Sequence, residues 1–328
     1  MVAPTVAGVL RHAGIVNEED LVVLPSKGLL RRNEEPVDGQ APLAAGDRVT
    51  VEGIGFVIGN GGAGRLQAFA DPSVEKTALP KGLRVHAGLH KCMTMFTREV
   101  YRRAARFPFG RPRSFRHFFH RVDAWRARAG RYWQSSISGA ALPLEQMPDA
   151  RVVRLIRDPR DLVVSSYFYH LRGAEHWCHL QDPIDADYLM VRGKVPSQLR
   201  AGESLTRYLN EASREEGLLA ELEFLSHHFE SWRSWPHDDP RVRCFRYEDI
   251  LGREGAAFAR ISTFLRYPPH QIAAAAFFGR HHAAASRGSR REHIRNPQAG
   301  QWTSHFTPKV TAAFNERYGD LLGRYGYP

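Results

Sequence analysis

Three short stretches hold residues suited to gripping anions. In the first, an apolar segment, "GLRVHAG", runs into a tight turn, Leu89-His90-Lys91-Cys92-Met93-Thr94, and then into a helical pattern, "MTMFTREVYRRAA". Peptide N–H groups at a helix start point outward, and the helix dipole favours negative charge there. Lys91 adds a mobile cation and Thr94 a hydroxyl, so the turn can hold a phosphate. The common nucleotide loop, G-x-x-x-x-G-K-[ST], is not satisfied, because no hydroxyl residue follows Lys91 directly and no glycine stands in the required places before it. In the second stretch, "RLIRDPRDLVVSSYFYH", Arg157 stands at the end of a branched apolar run and Ser165 lies two turns into the next helix. A guanidinium offers a planar fork that matches phosphate oxygens. An Arg157–Asp158 ion pair beside an ordinary helical serine would use the same letters. The third stretch, "HIRNPQAGQWTSHFT", combines Arg295 with an Asn296-Pro297 turn, Gly300 and Trp302, a loop able to close over an anion.

These residues need a scaffold that brings strand ends together. From about residue 82 the chain alternates strand and helix. "ARVVRLIRD" and "RVRCFRYEDI" read as buried strands, "PRDLVVSSYFYHL" opens with Pro-Arg-Asp as a first helical turn, and residues 204–235 are mostly amphipathic helix. This order predicts an α/β fold with a central parallel sheet flanked by helices, whose ligands bind at the carboxyl ends of the strands. Residues 1–80 read differently. "TVAGVLRHAGI" has helical spacing, and "DLVVLP", "DRVTVEG" and "GFVIG" are short strand candidates between turns. They predict a small N-terminal α+β module, with a second domain over 81–328. Within the module "GNGGAG", Gly59 to Gly64, satisfies G-x-G-x-x-G. A dinucleotide site would need a long helix directly after it, and Pro72 and Pro80 break the following segment, so a hairpin turn is expected.

The three anion-binding elements, in this order, resemble the sulfotransferase family that uses 3′-phosphoadenosine 5′-phosphosulfate. "HKCMTMF" takes the place of that family's P-K-S-G-T-T-W loop, "RDPRDLVVS" that of R-D-P-[KR]-D-x-x-x-S, "FRYEDIL" that of F-Y-E-D-L, and "RNPQAGQWTSHFT" that of R-K-G-x-x-G-D-W-x-x-x-F-T. The resemblance covers residues 82–328 and implies a P-loop-NTPase-like sulfotransferase fold. It implies that Lys91 steadies the leaving phosphate and that Cys92, Met93, Thr94 and Met95 offer backbone N–H groups. Phe96 would stack on adenine and Tyr247 line its site. Arg157, Ser165 and Arg295 would bind the 3′-phosphate, with Asn296 and Pro297 where the family has Lys and Gly. The donor would be 3′-phosphoadenosine 5′-phosphosulfate, the nucleotide product adenosine 3′,5′-bisphosphate, and the acceptor a hydroxyl or amine of a small molecule, with no metal needed. Many relatives carry a base histidine just before a Leu-Pro; here Ala141 stands in that place. Other branches draw the base from the region after the first helix, where this chain has His117 and His120. If that stretch is helical, the two share a face, and His170 and Asp123 stand in reserve.

Composition narrows the rest. Of 46 basic residues only six are lysines, and the formal charge is +11. Residues 101–131 hold ten arginines against one acid, Asp123. Such charge suits anionic partners, yet no nucleic-acid recognition motif accompanies it, so no nucleic acid is expected. Apolar runs are too short to span a membrane and the N-terminus lacks a signal-peptide pattern, so a cytoplasmic location is expected. Three widely spaced cysteines support neither a disulfide framework nor a zinc site. The oligomeric state is not indicated. Two other functions fit parts of the pattern: an ATP-dependent small-molecule kinase, and a non-catalytic protein that binds anions or nucleic acid.

Overall fold

A computed structural model describes residues 79–108, 113–118, 122–138, 142–173, 175–289 and 298–328. In the N-terminal segment it describes residues 5, 6, 25, 30–33, 35–44, 47–51, 54–58, 66 and 67. Contacts divide the chain into two compact units, Met1–Leu79 with Phe119–Arg128, and Pro80–Phe118 with Ala129–Pro328.

The first unit holds five strands, β1 (Leu30–Arg32), β2 (Glu35–Pro36), β3 (Arg48–Val51), β4 (Ile54–Ile58) and β5 (Leu66–Gln67). They form an antiparallel sheet in the order β2-β1-β3-β4-β5. Two of them match the expected "DRVTVEG" and "GFVIG" strands; all of "DLVVLP" but its Pro25, and most of "TVAGVLRHAGI", lie outside the described residues. Asp47 ties the sheet to its loop, accepting from Ala44 N at 2.7 Å, Arg32 Nε at 2.8 Å and Asn33 Nδ2 at 2.8 Å. Gly59–Gly64 are likewise outside the described residues; on either side of them Ile58 and Leu66 pair antiparallel.

The second unit is built on a five-stranded sheet of β6 (Arg84–Gly88), β7 (Phe115–Phe118), β8 (Gln134–Ser138), β9 (Arg151–Ile156) and β10 (Val242–Arg246). Its order is β10-β9-β6-β8-β7 and every pairing is parallel. Five of the six residues of β9 are buried, the near-continuous burial expected of a strand covered on both faces. Arg154 is the exception in type: 1% exposed, it lies over the Trp235 ring at 3.4 Å and donates to Ser231 O at 3.4 Å.

Helices follow the strands. In chain order they are α1 (Thr94–Arg106), α2 (Val122–Arg128, grouped with the first unit), α3 (Pro159–Leu171), α4 (Leu205–Glu211), α5 (Arg214–Phe224), α6 (Ser226–Arg233), α7 (Tyr247–Ile250), α8 (Glu254–Phe264), α9 (Pro269–Ser289), α10 (Trp302–His305) and α11 (Pro308–Tyr325). Sequence accounts for their starts. Asp158 caps α3 by accepting from Arg160 N at 2.9 Å, with Pro159 in the first turn. Ser213 and Glu216 form a capping box on α5, and Thr307 caps α11 ahead of Pro308. Helix α1 buries Thr97, Val100, Tyr101, Ala104 and Ala105, a stripe at helical spacing, and the Gln271 side chain closes its far end by donating to Ala105 O and Phe107 O, each at 3.2 Å.

One expectation needs correction. A helix through "RSFRHFFHRVDAW" would have put His117 and His120 on one face. Phe115–Phe118 is instead a strand, paired in parallel with β8, and α2 begins only at Val122. Phe115 and Phe118, three apart, would share a face of a helix, and pairing with the edge of β8 overrides that spacing.

Candidate active site

Strands β10, β9 and β6 are neighbours, and their carboxyl ends carry Tyr247, Arg157 and the Lys91 turn. Three stretches far apart in sequence therefore meet along one edge of the sheet.

The Lys91 turn has an unusual backbone. Lys91 and Met93 both have φ of 58°, in the left-handed region that costs a side-chain-bearing residue about 1 kcal/mol or more. The double reversal turns the chain sharply out of β6, and Met93 then serves as N-cap of α1 without a side-chain cap bond. Amides at a helix start have no intrahelical acceptors, so those of α1 are available to an anion. Thr94 differs from its expected role: its hydroxyl donates to Leu89 O at 2.8 Å, fastening the turn from within. Cys92 is fully buried, and burial raises its thiol to about 12, so it is neutral and packs the core. Met93 is half-buried against the core, while Met95 is 67% exposed. Phe96 contacts Phe258 and His282, with ring centroids 5.6 and 5.0 Å away.

The ammonium of Lys91 lies over the ring of Tyr169, 3.8 Å from its centroid. Burial, then the nearby charges of Arg172 and Arg157, pull its pKa down to about 8, with Glu175 opposing. Tyr169 donates its hydroxyl to Glu175. The preceding residue, His90, meets Tyr169 edge-on at 5.7 Å and stacks on His170 at 5.7 Å and 12°.

The Arg157 corner is organised differently. Arg157 is 5% exposed, lies over the Tyr247 ring at 4.7 Å and donates to Gln298 O at 3.3 Å. Asp161, one helical turn on, stands 3.8 Å from its guanidinium. Asp161 also accepts from Gly300 N at 2.7 Å and Trp302 N at 2.9 Å, which fastens the late loop to the start of α3. Burial raises the Asp161 pKa, against the pull of those amides and Arg157. Asp158 N donates to Glu248 Oε1 at 2.9 Å, and Glu248 Oε2 accepts from Tyr327 at 3.0 Å. Arg160 is held by Asp158 through both nitrogens, at 3.0 and 2.7 Å, and lies over Trp302 at 3.9 Å. Arg157 Nε is buried with no hydrogen-bond partner among the described residues, which leaves the guanidinium a donor to offer. Ser165 is half-buried on α3.

The remaining site expectations fare unequally. Arg295, Asn296 and Pro297 lie outside the described residues, as does His120. His117 is on β7 in register with Ser136, two residues short of the end of β8, and its Nδ1 lies 2.5 Å from Ser136 Oγ. It faces a strand neighbour inside the sheet. Among the described residues no group of three or more His, Cys, Asp or Glu side chains is placed to hold a metal ion, and no helix is long and apolar enough to cross a membrane.

Sequence reasoning missed Asp161, Tyr169, Glu175 and His90. Asp161 had a signal, since an acid four residues after an arginine shares its helix face. Tyr169 had one too, one turn beyond Ser165. Nothing local tied Asp161 to Gly300 and Trp302, or Tyr169 to Lys91.

Comparison with known proteins adds the following. A family model described as "Sulfotransferase domain" matches residues 69–326. No curated protein matches the chain. Among solved structures, mouse sulfotransferase SULT7A1 complexed with PAP is 16% identical, with 82% of this chain and 93% of that one covered and a TM-score of 0.47. Retinol dehydratase in complex with retinol and PAP is 16% identical over 94% of this chain and 95% of its own, with a TM-score of 0.41. A second retinol dehydratase structure, with androsterone and PAP, is 16% identical over 94% of each chain, with a TM-score of 0.41.

Proposed function

The chain belongs to the sulfotransferase domain family, and from that premise we propose that it moves a sulfuryl group from 3′-phosphoadenosine 5′-phosphosulfate to a hydroxyl, or an amine, of a small molecule. The observation that carries the donor assignment is the meeting of the Lys91 turn and the Arg157 corner at the ends of neighbouring strands. Lys91, with its pKa drawn down to about 8 by burial and then by Arg172 and Arg157, is a cation that an anionic ligand there would favour. The unused Nε of Arg157 fits a second anionic group beside the first.

In this reading the 5′ end of the donor lies on the Lys91 turn and its 3′-phosphate at the Arg157 corner. Lys91 and the amides of α1 take up negative charge on the departing phosphate, the electrostatic help that such transfers require. Arg157 and Ser165 bind the 3′-phosphate, with Arg295, Asn296 and Pro297 closing from the late loop. Phe96 and Tyr247 flank the adenine. The three cysteines are all free, which suits a reducing compartment, and we place the enzyme in the cytoplasm on that ground. Residues 81–328 would carry the chemistry as one domain, separate from the module of residues 1–80.

Calorimetry with two nucleotides tests the donor assignment. Adenosine 3′,5′-bisphosphate should bind at least about tenfold more tightly than adenosine 5′-phosphate, because the Arg157 corner adds a charge-assisted contact. Equal affinity, or binding of ATP that depends on Mg²⁺ and ignores the 3′-phosphate, favours a kinase instead.

A further inference from the structure

Strand β10 ends the order β10-β9-β6-β8-β7, so one of its sides has no strand beside it among the described residues. We propose that this open side docks an extended acidic segment of another protein, which joins the sheet as a further strand with acids on alternate residues. The docking is independent of sulfuryl transfer.

In a parallel ladder a strand turns alternate residues toward each of its two sides. Val152 N donates to Arg241 O at 2.8 Å, and the register pairs Val242 with Val152 and Cys244 with Arg154. Arg241, Arg243 and Phe245 therefore bond β9. The N–H and C=O of Cys244 and the N–H of Arg246 point to the open side. Val242 N–H points the same way and is taken by Asp239 O at 2.8 Å. Outward groups of this kind are a template for one more strand. A groove of about 850 Å³ runs along the five residues of β10, between α8 and the end of α11, and gives such a strand room.

The pleat sends successive side chains to opposite faces. On the α8 face Arg243 lies over Phe264 at 5.6 Å, and Arg260 lies over Phe245 at 5.9 Å. Both arginines are exposed, and among the described residues neither has a carboxylate partner. On the α11 face the cations are engaged. Arg246 donates to Asp249 at 3.0 and 3.2 Å and to Gly326 O at 2.9 Å, and Arg324 donates to Trp235 O at 3.0 Å. That face also offers the half-buried Cys244 and the Tyr325 ring. An incoming strand thus needs acids toward Arg243 and Arg260 and apolar side chains toward Cys244 and Tyr325, an alternation that one pleated segment supplies. A second copy of β10 does not fit. It would set Arg243 and Arg246 against the same arginines, on a chain of formal charge +11.

The experiment uses the full chain and a fluorescein-labelled peptide alternating Asp and Val, read by polarisation and by hydrogen exchange resolved to single amides. Binding should weaken as salt is raised, and by about tenfold when Asn replaces Asp. Exchange at Cys244 and Arg246 should slow by about tenfold or more at saturation, and that at Arg243 and Phe245 should not change, since those amides already bond β9. N-methylation of one alternate set of peptide residues should weaken binding by about tenfold or more, and of the other set by less than about threefold, because only one set faces β10. Arg243→Glu combined with Arg260→Glu should lower affinity by about tenfold and admit a peptide alternating Lys and Val in its place. Melting curves show that the variant is folded. Equal slowing at all of these amides, or equal loss from both methylated sets, means general attraction of anions to a basic surface and overturns the docking strand. Slow exchange at Cys244 and Arg246 before peptide is added also overturns it, and exchange that then quickens on dilution identifies a second copy as the occupant.

Discussion

The two halves of the candidate donor site are built on opposite electrostatic plans. Around Lys91 cations crowd together: Arg172 and Arg157 depress its pKa, and Glu175, engaged by Tyr169, is the acid that opposes them. Around Arg157 carboxylates dominate: Asp161 stands beside it, while Asp158 and Glu248 lace the strand ends together. In the first half the neighbouring cations outweigh Glu175 in their effect on Lys91, which favours an anionic ligand there. The second is a scaffold whose own acids hold Arg157 in place and leave it one donor to spare. Crowded positive charge suits the place where the reaction releases a phosphate. A pre-assembled corner suits a phosphate that is recognised and does not react.

The contrast can be broken most severely at Lys91. Replacing Lys91 with Ala should lower bisphosphate release from the donor by about 10³-fold or more, the scale of losing a transition-state charge donor. The affinity for adenosine 3′,5′-bisphosphate should fall much less, by about tenfold, since one contact among several is lost. A comparable loss in both measurements would mean that Lys91 only binds.

Arg157→Ala reverses the pattern. The preference for the bisphosphate over adenosine 5′-phosphate should collapse by about 30- to 100-fold, the value of a charge-assisted contact. Turnover at saturating donor should change by less than about tenfold. Calorimetry with both nucleotides, paired with kcat, separates the two halves of the site.

Asp161→Asn tests the scaffold. The amide keeps one acceptor for the N–H groups of Gly300 and Trp302 and loses the charge facing Arg157. Donor affinity should drop about three- to tenfold, and hydrogen exchange in residues 298–306 should quicken. Unchanged exchange would show that the loop is fastened elsewhere.

The same contrast explains what could be read in the sequence. The fold of residues 82–328 was legible because strand–helix alternation and capping are local: Asp158-Pro159 starts α3 and Arg151–Ile156 is a buried run. Lys91, Arg157 and Tyr247 were legible because each ends a strand, and in a parallel sheet those ends share an edge. The acids were less so. Asp161 bonds amides 139 and 141 residues away, and no local pattern specifies that contact. His117 and His120 would share a face only if their stretch were helical, and pairing with Gln134–Ser138 makes Phe115–Phe118 a strand. The turn at Thr94 shows the limit at single-atom level. A hydroxyl at a helix start can face a ligand or its own loop, and here it bonds Leu89 O.

The smallest effect follows from the depressed pKa of Lys91. The lysine must be charged to steady a leaving phosphate, and its pKa of about 8 lies well below the ordinary lysine value. Donor kcat/KM, which reports the free enzyme, should therefore be flat below about pH 8 in this limb and fall tenfold per unit above it. Arg172 is the largest charge contribution to that depression after burial itself. Removing it as Arg172→Ala takes away repulsion of the charged form, so the Lys91 pKa rises and the basic limb moves upward. The Arg172 side chain is exposed, and screening by water and salt limits the movement to about half a unit. High salt should reproduce part of that movement in the unaltered protein and shrink it in the variant. A limb that stays put in both would mean that burial alone sets the Lys91 pKa. The crowding of cations would then be a feature of the protein surface, and the contrast between the two halves of the site would lose its electrostatic basis.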